Sequence, residues 1–268
     1  MGKIISIANQ KGGVGKTTTC VNIAAYIAMM GKKVMILDFD PQGNATSGVG
    51  IEKTKDLKTI YDLMNDECTV SEAIKKTNVE NLYVIPSTVD LAGAEIELVK
   101  VPQREKIIKG ILDPIKNDFD FIFIDCPPSL GLITINALTA SDTVLIPIQC
   151  QFFALEGLTQ LMNTIRLVKF HLNPNLDIEG VVLTMKDKRS NLTNQVSNEI
   201  IKYFNKKVYF TTIPVNVRLA EAPSHGKPVV LYDPSSKGAE SYLSLAEEIL
   251  DRNHCVYTQL KKRKKENW

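Results

Sequence analysis

Asn9-Gln10-Lys11-Gly12-Gly13-Val14-Gly15-Lys16-Thr17-Thr18 crowds three glycines and two lysines between an apolar run at 4–8 and a helix-forming run at 18–30. The pattern is strand, phosphate loop, helix. Gly12, Gly13 and Gly15 tolerate backbone angles that a Cβ disfavours, so successive N–H groups on either side of Val14 can turn inward on an anion. A helix beginning near Lys16 adds its own unpaired N–H groups, those of Thr17 and Thr18 among them, and the positive end of its dipole. Lys16 is then placed to reach the β- and γ-phosphate oxygens of a nucleotide, and the Thr17 hydroxyl to ligate Mg²⁺.

Two other readings compete. A glycine-rich turn without chemistry is common, but Gly-Lys-Thr at a strand-to-helix junction argues against it. A dinucleotide site is the sharper rival, because Gly13-Val14-Gly15 with Asp38 downstream imitates the dinucleotide fingerprint. That fingerprint fails at its third glycine, which is Thr18 here, and Lys16-Thr17 suit a triphosphate with Mg²⁺ better than a pyrophosphate.

The chain has 268 residues, 44% of them hydrophobic, enough for one large α/β domain or two small ones. Its net charge is only +2. Residues 1–150 hold 15 basic and 18 acidic residues, and most of the basic excess of the second half lies in the tail after Leu260. A nucleic-acid face must therefore be a local patch. Five cysteines without a CxxC pair suit a reduced, intracellular protein. No signal peptide or membrane-spanning run is visible, and a myristoylation-like start at 1–6 coincides with the first apolar strand.

Strands are expected at 4–8, 33–38, 82–86, 121–125, 143–148, 180–184 and 208–213. Helices are expected at 16–30, 102–116, 132–141, 154–171, 192–204 and 237–252. Gly31 ends the first helix, Thr69 with Glu72 forms a capping box, and Pro102 opens a helix. Alternation of this kind gives an α/β fold, a mostly parallel twisted β-sheet with helices on both faces. No repeat, linker or change of composition divides it. One domain is expected over 1–252, followed by a basic, disordered tail over 253–268.

Ligands of such sheets bind beyond the carboxyl ends of strands. Asp38 and Asp40 close the second strand, and Asp125 closes the apolar strand Phe121-Ile122-Phe123-Ile124, as a Walker B acid does when it serves the Mg²⁺ shell. Each alone is as easily a solvated loop acid or a strand cap; beside the phosphate loop the combination is stronger.

The loop departs from the ordinary P-loop at Gln10, where glycine is usual, and carries a second lysine, Lys11. Lys-Gly-Gly-Val-Gly-Lys-Thr-Thr resembles the deviant Walker A motif of the ParA and MinD group, to which the nitrogenase iron protein is also related. Asp38-Phe39-Asp40-Pro41-Gln42-Gly43-Asn44 is similar to that group's switch I, Cys126-Pro127-Pro128-Ser129 to its switch II, and residues 213–228 to the ParA/Soj pattern. The resemblance covers residues 3 to about 250. It implies a P-loop NTPase fold and an ATP- and Mg²⁺-dependent sandwich homodimer in which Lys11 reaches the partner's nucleotide. By the same resemblance Asp40 positions the attacking water, Met185 and Pro214 flank adenine, and Asn216 meets its edge; Asp38, by its place nearer the strand, is expected to support the Mg²⁺ shell. No guanine-reading signature is present, which favours ATP.

The resemblance further implies slow hydrolysis stimulated by a ParB-like centromere-binding partner, and binding of double-stranded DNA without sequence preference through basic residues. Arg189, Arg218, Lys186, Lys188 and Lys227 stand in the matching regions. Each alone reads as well as a solvated surface charge. Gln151 stands where the family usually has Glu. The tail has too little apolar area for the stable membrane attachment of MinD-like proteins, so the expected location is cytoplasmic and nucleoid-associated. The rival classes are a membrane-bound spatial regulator and an iron–sulfur electron carrier; for the latter Cys126 lacks a second cysteine in the required pattern.

Overall fold

The computed structural model describes residues 2–151, 154–187 and 189–260. Seven strands form one sheet among the described residues: β1 (Lys3–Ile7), β2 (Val34–Asp38), β3 (Lys75–Lys76), β4 (Leu82–Ile85), β5 (Phe121–Asp125), β6 (Thr143–Gln149) and β7 (Asp177–Thr184). Their order is β3-β4-β2-β5-β1-β6-β7, and every pairing is parallel except that of β3 with β4. The helices are α1 (Lys16–Met29), α2 (Asn44–Gly48), α3 (Ile60–Met64), α4 (Val70–Ala73), α5 (Leu91–Glu97), α6 (Ile107–Leu112), α7 (Leu132–Ala140), α8 (Ala154–His171), α9 (Asn191–Phe204), α10 (Val217–Glu221), α11 (Val229–Tyr232) and α12 (Lys237–Arg252).

Strand periodicity divides the core into two layers. On one face Ile4, Met35, Leu37, Ile122, Ile124, Val144 and Ile146 pack against Ile133 and Ala137 of α7, Leu161 of α8 and Ile200 of α9. On the other, Ile5, Ile7, Val34, Ile36, Phe121 and Phe123 pack against α1 and α12, through residues such as Ile23, Ile27, Leu245 and Ile249. Burial on both faces explains why these strands read as continuous apolar runs. The central strands β1, β2 and β5 are thereby fixed in register, with Asp125 opposite Ile7 on one side and Asp38 on the other.

Several local expectations change. The helix expected at 102–116 is α-helical only over Ile107–Leu112. Gln103 is left-handed (φ 54°), which isolates a short 3₁₀ turn at Arg104–Lys106, and Pro114 has no N–H with which to continue. The strand expected at 208–213 runs beside β7 and joins it through Tyr209 N–H to Val181 O (2.9 Å) and Ile213 N–H to Leu183 O (2.9 Å), with one isolated bridge at Val208. Between these, the N–H groups of Phe210 and Thr211 donate to the Glu248 carboxylate (2.9 and 3.0 Å), so no ladder forms. Residues 253–260 are not a free tail. Thr258 N–H donates to Met30 O (3.1 Å), and Cys255, Tyr257 and Leu260 pack against the core beside α1. The basic stretch from Lys261 onward lies outside the described residues.

The Thr69–Glu72 capping box forms as expected, and Gly31 (φ 91°) follows α1. Past α2, Gly50 (φ 84°) meets Gly226 (φ 61°) so closely that a Cβ on Gly226 would lie 3.1 Å from the Gly50 Cα. Only residues without a side chain permit that approach. Among the described residues no helix is long and apolar enough to cross a membrane.

Candidate functional site

The loop between β1 and α1 is held from below. Asn9 Nδ2 donates to Pro147 O (2.7 Å) and its Oδ1 accepts from Lys11 N–H (3.0 Å), while the Thr184 hydroxyl donates to Val14 O (2.8 Å). Gly13 (φ 73°) and Gly15 (φ 87°) take the left-handed conformation that the turn requires. Lys16, the first residue of α1, is 6% exposed, and its ammonium donates to Lys11 O (3.1 Å). Burial lowers its pKa, while Asp125, Cys126 and Asp40 pull it back up. Neither Asn9 nor Thr184 stood out in the sequence; both are small polar residues at strand ends whose partners lie far along the chain.

Asp125 and Asp38 sit side by side at the ends of β5 and β2, both fully buried, yet their surroundings differ. Asp38 Oδ2 accepts from Thr46 N–H (2.7 Å) and Thr46 Oγ1 (2.7 Å), and Oδ1 from Asp40 N–H (3.3 Å). Burial, opposed by these bonds, places its pKa at about 6. Both oxygens of Asp125 are buried without a hydrogen-bond partner. Burial and the neighbouring Asp38 push its pKa well up; the nearby Thr17 hydroxyl and Lys16 offset part of this without a well-formed bond. A buried carboxylate left open in this way fits a divalent cation held with few protein ligands, the habit of Mg²⁺ beside phosphates. Among the described residues no three His, Cys, Asp or Glu side chains gather into a metal cage.

Asp40 is 7% exposed and its Oδ1 accepts from Gln42 N–H (2.9 Å). Thr46 is a further residue that the sequence did not single out. Its hydroxyl, donating to Asp38, also accepts Ser87 N–H (3.0 Å), so one side chain pins the loop carrying Asp40 to two strands. Lys11, by contrast, is on the outside, where its ammonium donates to Gln151 Oε1 (2.7 Å).

Met185, Pro214 and Asn216 lie together. With Gly15, Thr18 and Thr184 they line a mostly apolar cleft of about 200 Å³ next to the loop. Met185 is left-handed (φ 48°), and Asn216 caps α10 by accepting Arg218 N–H on Oδ1 (3.0 Å).

The basic residues are more scattered. Arg189 is almost fully exposed and donates to Asp187 Oδ1 (3.3 Å). Arg218 is half-covered by two carboxylates, Glu221 and Asp233. Lys186 lies in the isolated bridge with Pro214, and Lys227 lines a second cleft of about 400 Å³ with Thr17, Asn44, Ser47 and Ser224. Lys188 lies outside the described residues.

Residues 2–178 match the family model described as an AAA domain. The chain is 63% identical over 249 residues to the sporulation initiation inhibitor protein Soj of Bacillus subtilis, covering 93% of this chain and 98% of that one. It is 51% identical over 253 residues to the chromosome partitioning protein ParA of Myxococcus xanthus, covering 94% and 89%. Among solved structures, cobyrinic acid a,c-diamide synthase of Mycobacterium smegmatis with bound ADP and magnesium superposes with a TM-score of 0.83 at 33% identity, covering 95% and 96%. Identity this high over nearly the full length of both chains, on a sheet whose central strands deliver a phosphate loop and two acids to one end, means that the chain belongs to the ParA/Soj-type partitioning ATPases.

Proposed function

We propose that the protein is an ATP-driven DNA-partitioning switch. ATP closes a homodimer, the dimer binds double-stranded DNA of any sequence on the nucleoid, and a ParB-like centromere-binding partner accelerates an otherwise slow hydrolysis that releases it. The observation that carries the nucleotide half is Asp125, buried with two unpartnered oxygens beside Thr17 and Lys16. Kinship with Soj and ParA supports the DNA half.

The N–H groups from Gly12 to Thr18 and the Lys16 ammonium bind and orient the triphosphate. Thr17 and Asp125 hold Mg²⁺, which when bound neutralises charge on the phosphate oxygens. Asp38, its oxygens committed to Thr46 and Asp40, serves the metal shell indirectly by fixing the loop. Asp40 orients water for attack, and Lys11 leaves Gln151 to reach the partner's nucleotide. Met185 and Pro214 flank the base. Asn216 Oδ1 accepts the Arg218 N–H that caps α10, which orients the amide, and its Nδ2 donates to a ring nitrogen, which adenine offers.

The test is binding of Asp40→Ala to a duplex of arbitrary sequence with ATP, with ADP and with no nucleotide, over a salt series. Binding with ATP alone that weakens steeply with salt is expected. A dimer that closes on ATP yet binds no DNA at any salt refutes the partition reading and leaves the membrane regulator in its place.

A further inference from the structure

Arg218 and Arg189 stand on the same rim of the sheet in different electrostatic company. Arg189 is 92% exposed at the side chain, with one loose contact to Asp187. Arg218 is 51% exposed and has two carboxylates against its guanidinium: Nη1 donates to Glu221 Oε2 (2.8 Å), and Asp233 Oδ2 lies 3.2 Å from Nε as an ion pair.

The two carboxylates are themselves held in place. Tyr232 OH donates to Glu221 Oε2 (3.2 Å), and the Tyr232 ring stacks on His225 with centroids 4.9 Å apart. Asp233 Oδ1 accepts from Ser235 N–H (3.2 Å) and Ser235 Oγ (2.9 Å), which turns Oδ2 toward Arg218. The Arg218 backbone is anchored in turn by the Asn216 cap.

A guanidinium grips phosphate in two-pronged fashion through Nη1/Nη2 or through Nε/Nη2. On the first edge Nη1 already donates to Glu221, and on the second the Asp233 carboxylate stands 3.2 Å from Nε, where a phosphate oxygen would have to approach. The trio of Arg218, Glu221 and Asp233 also sums to one negative charge, so an approaching phosphate meets repulsion where the arginine alone would attract it. We propose that Glu221 and Asp233 compete with DNA phosphate for Arg218, and so hold down the affinity of the DNA-binding surface. They are positioning residues, acting through the arginine. The proposal rests on the DNA-binding reading above and adds what sets the strength of that binding.

The experiment compares the wild-type chain, Glu221→Gln/Asp233→Asn and Arg218→Ala for binding to a duplex of arbitrary sequence with ATP, across a salt series. Thermal melting of each variant checks the fold. Both substitutions in the double variant keep size and shape; in Asp233→Asn the amide oxygen can keep the Ser235 N–H while its NH₂ faces Arg218. Each phosphate newly gripped should steepen the slope of log K against log salt by about 0.9, or about eightfold tighter binding at 0.1 M salt. A tighter affinity with a steeper slope in the double variant, together with weaker binding by Arg218→Ala, supports the proposal. A merely structural role for the carboxylates would not steepen the slope. Unchanged affinity and slope in the double variant, with Arg218→Ala weakened, overturns the competition and leaves the DNA reading standing. Unchanged binding in both variants removes Arg218 from the interface and overturns it too. Failure of the wild-type chain to bind DNA under any condition is a failure of the underlying reading itself.

Discussion

The carboxylates at the ends of β2 and β5 and those that flank Arg218 carry the same charge and behave in opposite ways. Asp38 and Asp125 are fully buried, and burial drives their pKa values up. Glu221 is only partly covered, its side chain 39% exposed, and its hydrogen bond with Arg218 draws its pKa down. The first pair is costly to ionise until something positive joins it; the second is already satisfied and screened by solvent. A buried charge cluster thus suits an all-or-none ligand site, and an exposed one suits graded, salt-tuned binding.

The largest test of the contrast is Lys16→Ala. It removes the buried cation that faces Asp125 and the phosphate loop, so hydrolysis should fall by at least about 100-fold, with nucleotide binding lost as well. Steady-state ATPase and nucleotide-binding assays check it; near-normal turnover would mean that burial does not amplify this charge.

The next concerns pH. Asp38 titrates at about 6 in the fold against an ordinary 3.8. Its contribution is fully present below pH about 4, where both states are protonated. As pH rises the unfolded chain releases its proton first, so the ligand-free fold loses about 3 kcal/mol by the time the pH passes about 6. Carboxylates with lowered values, Glu179 among them, act the other way, so the readout is a difference. Urea unfolding should show Asp38→Asn gaining on the wild-type chain between pH 4 and 7. A constant difference across that range contradicts the burial account.

The smallest effect belongs to the exposed side. Gln151→Glu would turn the Lys11 hydrogen bond into an ion pair worth under about 1 kcal/mol. ATP-dependent dimerisation, followed by sedimentation, should weaken by no more than about fivefold and recover as salt is raised. A larger loss, insensitive to salt, would show that Lys11 is not a screened surface group.

The legible parts of this protein were those written in neighbouring residues. The phosphate loop, the apolar strands that end in Asp38 and Asp125, and α8 and α12, whose bounds match the expectation, each announce themselves within a short window. The stretch at 102–116 was misread for a local reason, the left-handed Gln103 and Pro114, but two other misread parts depended on distant partners. Residues 208–213 have strand composition, but Glu248 of α12 captures two of their N–H groups. Residues 253–260 look like a tail until Met30 offers them a carbonyl.

The sequence by itself determined the chemistry available at the nucleotide end, because glycine freedom, lysine charge and strand-terminal carboxylates act at fixed short spacings. Only the tertiary structure decided which of those charges stand open and which are taken. Thr46 closes Asp38 while Asp125 stays unpartnered, and Asp233 joins Glu221 around Arg218 from fifteen residues away. Electrostatic and hydrogen-bond energies depend on separation in space and on burial, and neither is a property of distance along the chain.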